Sequence, residues 1–532
     1  MKKNIYIIIT SLLFISRFFL FISTQDAGIE HDSGWYLGVA RNVAERGIYA
    51  SYTNTISTTE RAGSSPSIHN RFSVQDKNGF IYFPAGVTVG PGYILPEAFF
   101  LKIFGSGWTQ YKIWPFVGFC LLIPILFFLV LKIGSISGLI FFQLWLWFYP
   151  QILLTFSFEA FSEHIALLFL LIGFIFLERW TISKKNILYI SLCGLFLGLS
   201  FQTKNIYMLG LFSPIILLFF LKKKNSLYPI LIFFTFFILP TILFELYRFL
   251  SLTLQFGITA WNANNMDIKL TLLSGGSGIQ SLQNRINLHF MFNKFSVWSH
   301  IGAHPLLLVL PLSIISLFSK KKKPYIYWML FISTVIFFLW FVLFSTTGWF
   351  RHIFPAIVMG MVLISSTVGD VFSFLTNEKK PMSFVIFVLF VCGIFFSLFQ
   401  NPLALPQFNL DRKELNELYK RQSPNTLQGP QFSPIFSRSD QTQIMKYVEK
   451  TIDQKRRICF YEWALVAELP PLVDRVFFPF QKCKKNDLLI IGPYQKGVYS
   501  FNKSNIQNLI GALCNDVVFT NTMYTACHIK KY

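Results

Sequence analysis

Acidic residues are scarce in this sequence. It has 25 Asp and Glu against 47 Lys and Arg, and only 14% of its 532 residues are charged. A chain that is 53% hydrophobic, with 63 Phe, has more apolar surface than one soluble core of this length can hide. Lipid accepts such surface, because apolar helices satisfy their own backbone hydrogen bonds inside the bilayer. The shortage of charge therefore excludes an ordinary soluble domain.

Other absences narrow the choice further. No small-residue cleavage site follows Met1-Lys2-Lys3 and the apolar run to Ser23, and that run is too long for a signal peptide. It reads as an uncleaved first helix that enters from the cytoplasm. The run Gly275-Gly276-Ser277-Gly278 has no Gly-Lys-Ser/Thr after it, so it is a flexible loop over a cavity and not a phosphate loop. There is no Cys-x-x-Cys spacing among the 7 cysteines. Cys120, Cys193 and Cys392 fall in apolar segments as fillers. Cys459, Cys483, Cys514 and Cys527 lie in the tail, where an oxidising compartment allows two disulfides in any of three pairings. Zinc ligation by the same four residues is the rival use, and their spacing does not favour it.

A formal net charge of +22 would suggest nucleic acid for a soluble protein. Here the cations gather in short runs between apolar segments: Lys184-Lys185, Lys222 to Lys224, Lys320 to Lys323 and Lys379-Lys380. Such runs mark cytoplasmic loops, so no nucleic-acid partner is expected. After the first helix, spans are predicted near 112–132, 136–156, 159–178, 187–203, 205–221, 227–247, 301–318, 326–345, 352–373 and 383–400, each near the ~20 residues a crossing needs. With Lys2 and Lys3 inside, every lysine run lands on that same side. The segment 93–104 is too short to cross and is expected to lie along the interface.

The resulting fold class is an α-helical polytopic membrane protein of about eleven transmembrane helices, with a small C-terminal α/β extracytoplasmic domain. The transmembrane part occupies residues 1–400, including a first outer loop at 24–111, and the tail occupies 401–532. A second outer loop falls at about 248–300. The N-terminus is expected in the cytoplasm, and the Lys-, Ile- and Phe-rich composition points to a bacterial source and so to an inner membrane. Within the tail, Gln441 to Ile452 has helical spacing, while Ile458 to Tyr461, Val476 to Phe480 and Leu488 to Ile491 read as buried strands.

The stretch from Ile29 to Gly47 carries the chemistry best. Asp32 falls just beyond the outer end of the first helix, and an amphipathic helix follows, with Trp35, Leu37 and Val39 expected near lipid. At that boundary a carboxylate meets both a lipid-borne donor and a water-borne acceptor. On spacing alone, a solvated helix N-cap is the stronger reading of Asp32.

This stretch resembles the first outer loop of the GT-C glycosyltransferases, in particular the protein O-mannosyltransferase and aminoarabinose-transferase superfamily (glycosyltransferase family 39 and relatives). The match rests on Asp32, Tyr36, Ala40, Asn42 and Gly47. Ser33 stands where a Glu is frequent, with Glu30 and Asp26 nearby as substitutes. Gly90-Pro91-Gly92-Tyr93-Ile94-Leu95-Pro96 through Phe104-Gly105 resembles the family's Pro-rich re-entry. Gly194 to Ser200 followed by Lys204 resembles its Gly-Leu helix ending in Lys. Trp349 to Pro355 resembles its Arg-Tyr-x-x-Pro element, with His352 in place of Tyr. The resemblance covers about residues 1–370.

The resemblance implies a cell-envelope transferase that moves a sugar from a polyprenyl-phosphate donor to a hydroxyl of a lipid, glycan or protein acceptor, with inversion. Asp32 is then the general base, and Lys204 and Arg351 bind the donor phosphate. The bland alternative is that the two cations snorkel to lipid phosphates. Glu30, Tyr36, Glu159, Glu163 and His352 are candidates to line the cavity. Glu245 and Arg248 read as a structural pair. Metal dependence varies across the wider class, and a single clear Asp argues against a metal site, so no cofactor is expected. The rival function is a transporter or flippase of a lipid-linked precursor. Against it, no internal repeat is evident and the charges collect at one membrane face instead of the midplane.

Overall fold

The computed structural model describes residues 28–29, 31–52, 72–85, 89–148, 162–183, 186–220, 227–273, 323–344, 350–377, 437–451, 456–461, 468–492 and 503–530, with a few isolated positions besides. The expected spans at 301–318 and 383–400, most of the first helix, Glu30, Glu159, Cys392 and the 275–278 glycine run lie outside the described residues.

The chain opens with α1 (His31–Arg46) and a three-stranded antiparallel patch of β1 (Ala50–Ser51), β2 (Val74–Gln75) and β3 (Ile81–Tyr82), in order β1-β3-β2. Next come α2 (Pro91–Phe104), α3 (Ile113–Ile133), α4 (Ile136–Phe148), α5 (Glu163–Ile182), α6 (Ile187–Thr203), α7 (Phe212–Phe220) and α8 (Leu227–Phe256). Then follow α9 (Ile258–Leu273), α10 (Tyr325–Phe344) and α11 (Phe350–Asn377). Five described stretches, overlapping α3, α5, α8, α10 and α11, are long and apolar enough to cross a membrane. The chain is an integral membrane protein.

Local chemistry explains where these helices begin and how they pack. Pro91 sits in the first turn of α2, where its missing N–H costs nothing, and Gly105 closes that helix at φ 86 with its N–H on the Leu101 carbonyl. The Asn186 side chain caps α6 by accepting from the Leu188 N–H. A Cβ at Gly194 or Gly198 would strike the Phe233 and Phe237 carbonyls, so this small-xxx-small pair lets α6 and α8 approach backbone to backbone. Most of α11 is enclosed by protein, whereas α8 presents most of its surface outward.

Charge pairs fix the two faces. Lys132, at the end of α3, lies 3.7 Å from Glu178 near the end of α5, and Glu178 also accepts from the Ile326 N–H at the start of α10. Lys323 pairs with Asp370 at 2.7 Å and reaches the Ile133 carbonyl. The described lysines of the expected inner face thus meet at one set of helix ends. At the opposite set, Tyr111 donates to the Pro471 carbonyl of the tail. The first loop and the tail therefore share a face.

Three expectations change. The helix after Leu227 runs 30 residues to Phe256, turns at Gly257 (φ +85), and continues as α9, so the start of the expected outer loop is helical. The expected span 205–221 is a 3-10 turn, Asn205–Leu211, followed by a short α7. Trp35, Leu37 and Val39 do not face lipid: they are buried in a core that also holds Leu472 of the tail. The tail and α2 cover the side of α1 that the sequence pattern assigned to the bilayer.

The tail contains α12 (Arg438–Thr451), β4 (Ile458–Phe460), α13 (Leu469–Val473), β5 (Phe477–Pro479), β6 (Leu488–Ile491), α14 (Lys503–Leu513), β7 (Cys514–Thr520) and β8 (Thr525–Ile529). Its five strands run β5-β4-β6-β8-β7, with β5, β4 and β6 parallel and the rest antiparallel. Strand alternation splits the interior. Ile458, Phe460, Leu488 and Ile490 pack with Ile444 and Val448 of α12, while Cys459, Leu489, Cys527 and Ile529 pack with Leu513 on the other side. The disulfides are Cys459–Cys483 and Cys514–Cys527. Cys459 and Cys483 also lie near Asp487 with metal-ligand spacing, but both thiols are taken up by their own bond.

Candidate active site at the tail face

Asp32 is the second residue of α1, inside its first turn and not at the cap position that the spacing suggested; its backbone position is what the structure describes. Ser33 and Tyr36 follow it into the interior, and the Ser33 hydroxyl has no hydrogen-bond partner among the described residues. Just before the helix, the Gln441 side chain grips both backbone groups of Ile29, accepting from its N–H at 2.9 Å and donating to its carbonyl at 2.8 Å. At the far end, Arg46 makes a two-pronged contact with Asp474 at 2.7 and 2.8 Å. Tyr52 donates to Asp474 at 2.6 Å. Burial alone would lift the Asp474 pKa, but hydrogen bonds from Arg46 and Tyr52 outweigh it and hold the carboxyl below its usual range.

A second cluster forms where α2, α5 and α6 converge. Val89 and Lys204 form an antiparallel bridge, and the Gly90 N–H donates to the Thr203 carbonyl. The Gly90-Pro91-Gly92 turn seats there because a Cβ at Gly92 would come within 2.9 Å of the Leu199 carbonyl. Lys204 thereby projects from the end of α6 to Glu163 at the start of α5, 2.9 Å away and almost wholly enclosed. Among the described residues neither Glu163 carboxylate oxygen accepts a hydrogen bond, so the contact with Lys204 is one of charge. The Glu163 carbonyl accepts from the Tyr207 hydroxyl at 2.6 Å. His164 is committed elsewhere, with its Nε2 on the Pro115 carbonyl at 2.8 Å.

Arg351 is buried at the start of α11, at the same end of the bundle. His352, beside it, stacks edge-on with Trp340 at 5.7 Å. The Glu245–Arg248 pair is structural as expected: Arg248 also binds Asn264 and Asn265 and lies 4.2 Å from the centre of the Trp261 ring.

Tyr93 and Glu97, one turn apart on α2, were not among the expected site residues. Both are fully buried, and neither the Tyr93 hydroxyl nor either Glu97 oxygen has a partner among the described residues. Burial pushes the Glu97 carboxyl well above its usual pKa, and it also pushes up the Tyr93 phenol. An acid inside an apolar helix was the available signal.

No family model and no curated protein sequence matches the chain. Solved structures do. The crystal structure of ArnT from Cupriavidus metallidurans bound to undecaprenyl phosphate overlays with a TM-score of 0.59 at 9% identity, covering 98% of this chain and 97% of that one. The apo form of the same protein gives 0.56 at 12% identity, covering 99% and 98%. The fold is GT-C-like. At such identity the likeness speaks for the fold, and it extends over the tail as well as the membrane helices.

Proposed function

We propose that the chain is an inverting membrane glycosyltransferase that moves a sugar, of hexosyl or mannosyl type, from a polyprenyl-phosphate donor to an acceptor hydroxyl outside the cytoplasm. The observation that carries this proposal is the overlay, nearly end to end, on a protein bound to undecaprenyl phosphate. Asp32 takes the proton of the acceptor hydroxyl as its oxygen attacks the anomeric carbon. The bond from that carbon to the phosphate oxygen breaks, and the lipid phosphate departs with the electron pair. Lys204 turns from Glu163 to the phosphate, and Arg351 adds a second charge. Glu30, Tyr36, Glu159, Glu163 and His352 line the sugar side of the cavity. Residues 401–532 act as the acceptor-selecting domain. This mechanism calls for no resident metal, and transfer persists in the presence of a chelator.

The test is transfer from a panel of polyprenyl-phosphate sugars in membranes, comparing wild type with Asp32→Asn. A fall of about a hundredfold or more is the scale expected for a lost general base. Equal transfer by both proteins removes Asp32 from that role. Movement of the lipid across the membrane without sugar transfer overturns the function itself.

A further inference from the structure

We infer that Gln441 of the tail is a positioning residue for Asp32, which rests on Asp32 being the base proposed above. The geometry is specific. A single, fully buried side-chain amide binds both the N–H and the C=O of Ile29, 412 residues away in sequence and three residues before Asp32. Such a two-point contact fixes both the position and the rotation of the backbone where α1 starts. The amide is itself oriented. Tyr524 donates its one hydroxyl proton to Glu468 at 2.7 Å, so its oxygen is free to accept from Gln441 Nε2 at 3.4 Å. That sets the nitrogen on the Tyr524 side and leaves Oε1 for the Ile29 N–H.

Arg46 and Asp474 fasten the far end of α1 independently. Loosening Gln441 therefore frees the end that carries Asp32 without detaching the tail. A general base displaced by about 1 Å loses on the order of a hundredfold in rate, while ground-state binding of the lipid donor is little affected.

The test uses the full chain in lipid nanodiscs and the variant Gln441→Met, which keeps length and bulk but neither hydrogen bond. Hydrogen exchange is followed in a peptide that reports the Ile29 amide. Transfer is assayed over a range of pH with the donor found active. The expected result is exchange at Ile29 about tenfold faster or more, kcat lower by about tenfold or more, KM for the donor within about twofold, and a displaced acid limb in the pH profile.

Unchanged exchange overturns the pin. Faster exchange with kcat and the acid limb unmoved reduces Gln441 to a structural contact, and overturns the inference. If Asp32→Asn keeps full activity, the proposed base fails, and exchange still reports whether the pin exists. Gln441→Leu also removes both hydrogen bonds, with a shorter side chain. It supplies the same comparison should the Met variant fail to fold.

Discussion

Glu163 and Lys204 meet at 2.9 Å from opposite helix ends, one opening α5 and the other closing α6, with both side chains almost wholly enclosed. A pair held this way is neutral overall, which makes an apolar surround tolerable. Among the described residues, the Lys204 ammonium has that one carboxylate as its charge partner.

Removing one member of the pair costs more than removing both. Lys204→Met leaves a buried carboxylate without its counter-charge and destabilises the fold by about 3–5 kcal/mol. Adding Glu163→Gln returns most of that loss, while sugar transfer stays low because the phosphate contact is still missing. Thermal unfolding and transfer assays on the single and double variants check both halves. A double variant as active as the wild type removes Lys204 from the phosphate site.

Glu97 gives a pH dependence of known sign. Burial raises the pKa of its carboxyl well above the ordinary 4.5, whereas in the unfolded chain it ionises above that value. Ionisation therefore favours unfolding, increasingly as pH rises from about 4.5 towards the folded-state pKa. Glu97→Gln removes this penalty. The expected result is an unfolding temperature close to wild type near pH 4 and above it at pH 8. A difference that does not grow with pH refutes the raised pKa.

Asp474 behaves in the opposite sense. Its folded pKa lies below the ordinary 3.8, so its contribution is complete above that value and disappears as pH falls through the folded pKa. Asp474→Asn should weaken attachment of the tail at neutral pH, seen as faster hydrogen exchange in residues 469–476. The gap from wild type should close only in strong acid. A gap that persists there assigns the effect to packing and not to charge.

Gly194→Leu forces a side chain against the Phe233 carbonyl and Phe236 Cβ. Separation of α6 from α8 should lower stability by about 1–3 kcal/mol, the range for overpacking. The measurement is thermal unfolding in detergent, with Gly511→Leu, which meets nothing within 4 Å, as the neutral comparison.

Much of this was legible in the sequence. Lysine runs between apolar segments gave the alternation of faces, and Lys132 and Lys323 do converge at one set of helix ends. The α12 helix and strands β4 to β6 were readable because each carries one clear period or one short apolar run. Strands β7 and β8 were not. β7 is mostly exposed and mixes Asn515 and Asp516 with apolar residues, and its place comes from its register with β8. The α9 helix escaped notice because Asn264 and Asp267, its buried polar residues, answer to partners in the first loop such as the Phe83 carbonyl and the Phe72 N–H. In the candidate site, the position of Asp32 at the start of a helix followed from local pattern. The Lys204–Glu163 contact and the grip of Gln441 on Ile29 did not, because both depend on distant segments meeting.

The Gln441–Ile29 contact also sets an order of events during synthesis. The first loop leaves the ribosome some 412 residues before its clasp is made. Through almost the whole of translation the start of α1 is held by nothing from the tail. A nascent or truncated chain thus has its Asp32 in place along the sequence but not in space. The clasp on α1 forms only after about the last sixth of the polypeptide, which carries Gln441 and all four disulfide cysteines, has been made.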